Sequence, residues 1–308
     1  MAPLNRLSPL SLTLIALAIA GCGTSSSTPD AAVDAGRDAP ADVAEDSTPD
    51  DDVPPCSVRP DASNVACVLR VRGRAVDATG AALGNTVVTY CSTTCYATTS
   101  DAAGEFTVPV GDFIDTSVYS LLVHGRPDHA SVYVRSPAAV DGVVTMPAPV
   151  AVPRYADMGP LLPMGSAGGT FTAGDVTLTV SPGTTLEFDL EDALLGELGR
   201  RFRVTYVPMA QAPAFAREAN LTALWALGPF NLLADHPVAV RVANRAGLAA
   251  GSAVEFVALG QDILSVPPTA GHPIVVARGH VSADGMSATT DPGTGISYVT
   301  WIGIRPLR

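Results

Sequence analysis

No lysine occurs anywhere in the chain, so all 18 of its cationic residues are arginine. That absence excludes Schiff-base chemistry, a phosphate-loop lysine and a lysine general base together. Positive charge is scarce as well. A formal net charge of -12 leaves no basic surface of the kind that binds nucleic acid, and that class of partner is set aside. Aromatic residues make up only 6% and charged residues 16%, and long amphipathic helical periods are missing. Gly (28) and Pro (26) are plentiful instead, and Val and Thr recur in short runs, a pattern of many brief strands joined by turns. The expected fold is all-β: two tandem β-sandwich domains behind a signal peptide and a disordered acidic linker.

One apolar run stands out, the eleven residues Leu10 to Ala20, preceded by Arg6. It has the length of a signal-peptide core and falls short of the roughly 20 residues a membrane span needs. Ile19-Ala20-Gly21-Cys22 then closes it with small residues and a cysteine. This order of features resembles the lipobox of bacterial lipoproteins. The resemblance implies cleavage after Gly21, acylation of Cys22 and a membrane attachment strengthened by each added chain. Gly23 stands where the family's inner-membrane retention signal would place Asp, which favours the outer membrane, with the body facing either the periplasm or the exterior. The alternative is an ordinary secretory signal that leaves Cys22 a spare thiol.

Residues 22–55 follow as a tether rich in Ser, Thr, Ala, Asp and Pro, without an aromatic residue. Such a composition cannot bury enough apolar surface to offset its ordering entropy, so disorder is expected. Asp30, Asp34, Asp38, Asp42, Asp46 and Asp50 recur every four residues, and Glu45, Asp51 and Asp52 add to them against a single Arg37. Like charges at that spacing would repel on a helix, and Pro40, Pro49, Pro54 and Pro55 interrupt one. The tether should reach about 30 Å as a coil and about 110 Å when extended. A calcium loop would need converging oxygens on a fixed turn, which this pattern lacks.

Four further cysteines remain: Cys56, Cys67, Cys91 and Cys95. An even number in an exported chain reads as two disulfides with three connectivities open. Cys91 and Cys95 flank a short turn between two strand-like runs, so a bridge across that hairpin is favoured, and Cys56–Cys67 follows. Four thiolates could also hold zinc, but these spacings are not those of zinc knuckles.

Strand and turn signals alternate from Val68 onward, with turns at Asp77-Ala78-Thr79-Gly80 and Ser100-Asp101-Ala102-Ala103-Gly104. Gly73, Val76, Asp77 and Gly80, then Thr98 to Val108, resemble carboxypeptidase regulatory-like domains, which are transthyretin-like modules related to the Cna B-type fold. The resemblance implies a β-sandwich over 56–150 in which Asp77 and Asp101 accept backbone hydrogen bonds, Gly80 and Gly104 take positive φ, and Phe106 enters the core. It implies no peptidase chemistry, and without lysine the isopeptide cross-link of some Cna B-type domains is impossible. After a Pro-rich join, Pro147 to Pro163, the segment Gly168-Gly169-Thr170-Phe171 leading to Val180-Ser181-Pro182-Gly183-Thr184 resembles ZU5-like β domains. A second β domain is therefore expected over 151–308, with a brief helical stretch in Ala212 to Leu227 and with Trp225, Trp301, Phe230 and Phe256 in its core.

No catalytic residue is assigned. The five histidines form no zinc doublet, Gly165-Ser166-Ala167-Gly168 misses the nucleophile-elbow spacing, and His124 to His129 reads as a polar turn rather than a metal loop. Glu187, Asp189, Glu191 and Asp192 read as a solvated stretch rather than a glycosidase pair. Neither cofactor nor metal is expected. These features together lead to a non-enzymatic lipoprotein, attached to the membrane by lipid and mediating adhesion or assembly with an envelope protein. A glycan- or peptidoglycan-binding module is the alternative.

Overall fold

The structure, a computed structural model, describes residue 56 and residues 65–125, 127–265 and 267–307. The signal segment, Cys22 and the acidic tether up to residue 55 lie outside the described residues. No described helix is long and apolar enough to cross a membrane.

Strands dominate. The first group is β1 (Ala66–Val76), β2 (Val87–Cys91), β3 (Cys95–Thr99), β4 (Glu105–Ile114), β5 (Ser120–Val123), β6 (Val132–Arg135), β7 (Val143–Thr145) and β8 (Val150–Ala151). They form two sheets of four strands: β1 lies between antiparallel β4 and parallel β7, with β8 also parallel to it, and β3-β2-β5-β6 is antiparallel. The second group comprises β9 (Asp157–Leu161), β10 (Gly169–Ala173), β11 (Val176–Val180), β12 (Leu186–Glu187), β13 (Arg201–Tyr206), β14 (Ala223–Gly228), β15 (Leu232–Ala243), β16 (Ala253–Leu259), β17 (Pro273–Val281), β18 (Ser287–Thr290), β19 (Ile296–Val299) and β20 (Ile302–Pro306). Its main path runs β10-β11-β15-β18-β17-β16-β20-β14-β13-β9, and β12 and β19 add to β15. The two ends of that path, β9 and β10, lie against each other, so the sheet curls back on itself. Three short helices interrupt the strands: α1 (Leu190–Leu194), α2 (Glu197–Arg200) and α3 (Ala214–Glu218).

Alternation explains the half-buried strands. In β11, Val176, Leu178 and Val180 are buried while Thr177 and Thr179 between them are not, the period of two that a pleated strand imposes. Other strands are buried on both faces. Every residue of β14 is buried, and its side chains divide by parity: Leu224 and Ala226 enter one apolar cluster, Ala223, Trp225 and Leu227 the other. The first cluster also contains Val71, Tyr90 and Leu121 of the first strand group, together with Trp301. The two groups of strands thus share a core. Trp301 is 1% exposed and its indole N–H donates to the Ser131 carbonyl at 2.7 Å. Trp225, Phe230 and Phe256 are likewise buried.

A buried ion pair lies at the same seam. Arg203 on β13 donates to Asp192 Oδ1 of α1 at 2.8 Å and to the Pro127 carbonyl of the first group, and its guanidinium lies 5.1 Å from the Tyr155 ring centre. The other Asp192 oxygen accepts from the Phe230 amide at 3.0 Å. Burial raises the Asp192 pKa, against the opposing pull of Arg203. Asp192 is 5% exposed, which corrects the expectation of a solvated acidic stretch: a charge can be buried there because a guanidinium and a backbone N–H meet it.

Two further expectations change. The Pro-rich join contributes β8 and β9, since prolines at strand ends and edges need not interrupt a ladder. The brief helix expected between Ala212 and Leu227 is α3, and the rest of that run adds a strand that was not expected, the doubly buried β14.

The turns around Ala75 show how local chemistry sets the frame. Asp77 Oδ1 accepts from the Thr79 amide at 2.7 Å and the Ala81 amide at 3.0 Å, and Asp101 Oδ1 accepts from the Ala103 and Glu105 amides at 2.8 and 2.9 Å. Gly80 and Gly104 have φ of +86° and +79°. A Cβ on Gly104 would sit 2.3 Å from the Ala75 carbonyl oxygen, whereas one on Gly80 would meet nothing within 4 Å. Gly104→Ala is expected to lose about 2–4 kcal/mol of stability and Gly80→Ala about 1 kcal/mol, read from urea unfolding. Equal losses would show that the close approach at Ala75 carries no weight.

On the far side, Asp175 accepts from Arg245 Nε at 2.6 Å and Nη2 at 3.0 Å, and from the Trp225 indole at 3.5 Å. The Arg245 hydrogen bond holds the Asp175 carboxyl below its ordinary 3.8. A depressed folded pKa contributes stability above the unfolded value and loses it as pH falls through the folded one. Asp175→Asn should therefore show a shallower fall in unfolding midpoint than the parent below about pH 4. Parallel pH profiles would mean that this pair adds nothing.

Candidate functional site

An open cleft of about 690 Å³ lies beside the start of β15. Strand register builds one wall. Glu187 of β12 pairs with Leu233 of β15, which pairs on its other side with Tyr298 of β19, so these three side chains stand in one row across three strands. Their neighbours Leu186, Leu232 and Val299 are buried in the core on the opposite face. Phe188 and Leu190 continue from β12 into α1 and line the cleft beside this row.

A loop supplies the facing wall. Asp262 Oδ1 accepts from the Leu264 and Ser265 amides at 2.8 and 2.9 Å, and its carbonyl accepts from the Thr269 and Ala270 amides at 2.8 and 3.1 Å. These bonds fix Ile263 and Leu264 at the cleft. The loop is tied in turn to the first group of strands, because the Ser120 hydroxyl donates to the Ala270 carbonyl at 3.0 Å.

The cleft is apolar in its walls and acidic in its charge. Leu190, Leu233 and Leu264 are 72%, 45% and 68% exposed, a concentration of large aliphatic surface that water alone does not favour. Glu187, Asp189 and Asp262 are its carboxylates, and among the described residues no arginine or histidine lines it. Asp189 caps α1, accepting from the Glu191 amide at 2.9 Å. Asn231 turns its amide nitrogen toward Asp189 at 3.5 Å, while its own side-chain oxygen and that of Gln261 are buried without a hydrogen-bond partner. Burial, with the Asp262 charge, pushes the Tyr298 phenol up to about 12, so it remains neutral and able to donate.

The cysteines, turn residues and histidines singled out from the sequence lie elsewhere. Cys56–Cys67 and Cys91–Cys95 are bonded, with Cα separations of 5.9 and 4.2 Å, the second pair facing across the β2–β3 hairpin. Asp77 and Gly80 stand in one turn and Asp101 and Gly104 in another, and Gly104 lies against Ala75: its carbonyl accepts from the Ala75 amide at 2.7 Å, and the Leu83 amide donates to the Ala75 carbonyl at 3.1 Å. The polar loop of His124 and His129 is taken up by the seam: His124 contacts Glu191 at 2.8 Å and Thr89 at 3.1 Å, and His129 contacts Asp128 at 3.2 Å. Among the described residues no three His, Cys, Asp or Glu side chains are grouped to hold a metal. Sequence reasoning missed the cleft because its walls come from four separated segments. The one signal available was Phe188 and Leu190 interleaved with acids.

No protein-family model matches the chain, and no curated protein matches it. Among solved structures, a protein from Bacteroides uniformis proposed to bind carbohydrate is similar at 9% identity, covering 77% of this chain and 98% of its own, with a TM-score of 0.23.

Leu190 and Leu264 contribute apolar surface to the cleft and little to the core. Leu190→Asp with Leu264→Asp is expected to change stability by less than about 1 kcal/mol while sharply reducing the fluorescence of an apolar dye bound to the protein. Undiminished dye fluorescence would place the accessible apolar surface elsewhere.

Proposed function

We propose that the chain is a non-enzymatic binding protein of the cell envelope, a lipoprotein attached through acyl chains on Cys22 to the outer membrane and carrying two β-sandwich domains, 56–150 and 151–308, used in adhesion or assembly. The single observation carrying the binding role is the open cleft: apolar walls and carboxylates held rigidly by cross-strand register and a hydrogen-bonded loop. The carboxyl group whose pKa burial raises, Asp192, is engaged by Arg203 and the Phe230 amide and is not presented to a substrate. The Asp77–Gly80 and Asp101–Gly104 turns fit the carboxypeptidase regulatory-like resemblance, which contributes scaffold rather than chemistry.

A glycan-binding reading is favoured by one feature, the presence of Phe188 and Tyr298 among cleft residues that also include Asn231 and Gln261. Aromatic faces with amide neighbours suit sugar rings and hydroxyls. Against it, both tryptophans are buried, so no tryptophan platform exists on the surface.

The intact mass of protein purified from its membrane tests the anchor and the oxidised state together. The expected mass corresponds to Cys22 onward plus acyl chains, with the thiols of Cys56, Cys67, Cys91 and Cys95 appearing only after reduction. An unacylated mass would remove the lipoprotein reading, and thiols free before reduction would remove the oxidised body.

A further inference from the structure

Among the described residues every charged side chain in the cleft is an acid. The Glu187 carboxylate has no hydrogen bond or ion pair among the described residues. The carboxylates favour positive charge over any anion. The apolar equipment is arranged beside the acids on both walls: Asp189 is followed by Leu190, and Asp262 by Ile263 and Leu264. Complementarity to both walls calls for a cationic multi-donor group flanked by apolar ones. Among the described residues no cation of this chain lines the cleft, which leaves its carboxylates available to the charge of a partner.

We infer that the cleft receives a segment of a partner polypeptide in which an arginine or lysine side chain stands between apolar residues, the cation meeting Glu187 and Asp262 and the apolar neighbours resting on Leu190, Leu233 and Leu264. This rests on the binding reading above and specifies its ligand. Arginine suits the site better than lysine, because its planar fork can engage both oxygens of a carboxylate at once.

The experiment uses the full chain in detergent and a fluorescent, capped leucine-arginine-leucine peptide, with a matched peptide carrying citrulline, which keeps the shape and loses the charge. Fluorescence anisotropy should show the arginine peptide binding about tenfold more tightly than the citrulline peptide. Glu187→Gln should reduce that preference about fivefold without altering the melting temperature, and added salt should weaken binding of the arginine peptide more than that of the citrulline peptide. Glu197→Gln, an exposed acid outside the cleft, controls for attraction to the net charge of -12 and should leave the preference intact. Equal binding of the two peptides overturns the inference, as does an arginine preference indifferent to Glu187→Gln. A neutral oligosaccharide that binds, and is lost in Phe188→Ala, while both peptides fail, overturns the inference and leaves the binding reading standing. Failure of peptides and oligosaccharide alike overturns both.

Discussion

The architecture depends on one strand that has no solvent face. Ala223–Gly228 sends Leu224 and Ala226 into one core and Trp225 and Leu227 into the other, so neither core is complete without the same six residues. Strand β16 behaves similarly, with Val254 and Phe256 in one cluster and Val257 and Leu259 in the other. A wall buried on both sides demands cover on both, and the first group of strands supplies it. Displacing that group would return Leu224, Leu259 and Trp301 to water, an unfavourable exchange at roughly 25 cal/mol per Å² of apolar surface.

The polar seam follows from this apolar one. Once the two groups of strands are pressed together, charged residues near the junction lose water and must be satisfied by protein. Arg203 and Asp192 satisfy each other, and the remaining Asp192 oxygen holds the Phe230 amide. That last contact matters for the cleft, because Phe230 leads directly into Asn231 and β15. The opposite wall is fixed from the same direction, by Ser120 holding the loop at Ala270. Both walls of the cleft are therefore positioned by the junction, although the cleft itself belongs to the second group of strands.

Legibility in the sequence varied with the source of each signal. Strands with one wet face, such as Val176–Val180, were readable from their alternation, and the aspartate-glycine turns from residues whose conformational preferences are intrinsic. The run Ala-Leu-Trp-Ala-Leu-Gly of β14 has no alternation, because both its faces are dry, and a continuous apolar run of that length does not distinguish strand from helix. The apolar stretch near the end of the chain is likewise two strands: β19 and β20 separate at Thr300 and Trp301, where the chain turns the indole into the shared core. Asp192 was misread for a related reason, since its partner Arg203 lies eleven residues away and the surface that buries it comes from elsewhere.

By itself, the sequence determined the high strand content, the absence of every lysine-based chemistry, and the tight turns at Asp77 and Asp101, all of which depend on composition or on atoms within about four residues of one another. Only the tertiary structure decided which face of each strand is buried, that Asp192 is paired while the Glu187 carboxylate has no partner among the described residues, and that Glu187, Leu233, Tyr298 and Leu264 share a cleft. The physical reason is that desolvation and cross-strand register are set by whatever packs alongside, and here the neighbours are separated by tens to more than a hundred residues, a distance at which no local propensity carries information.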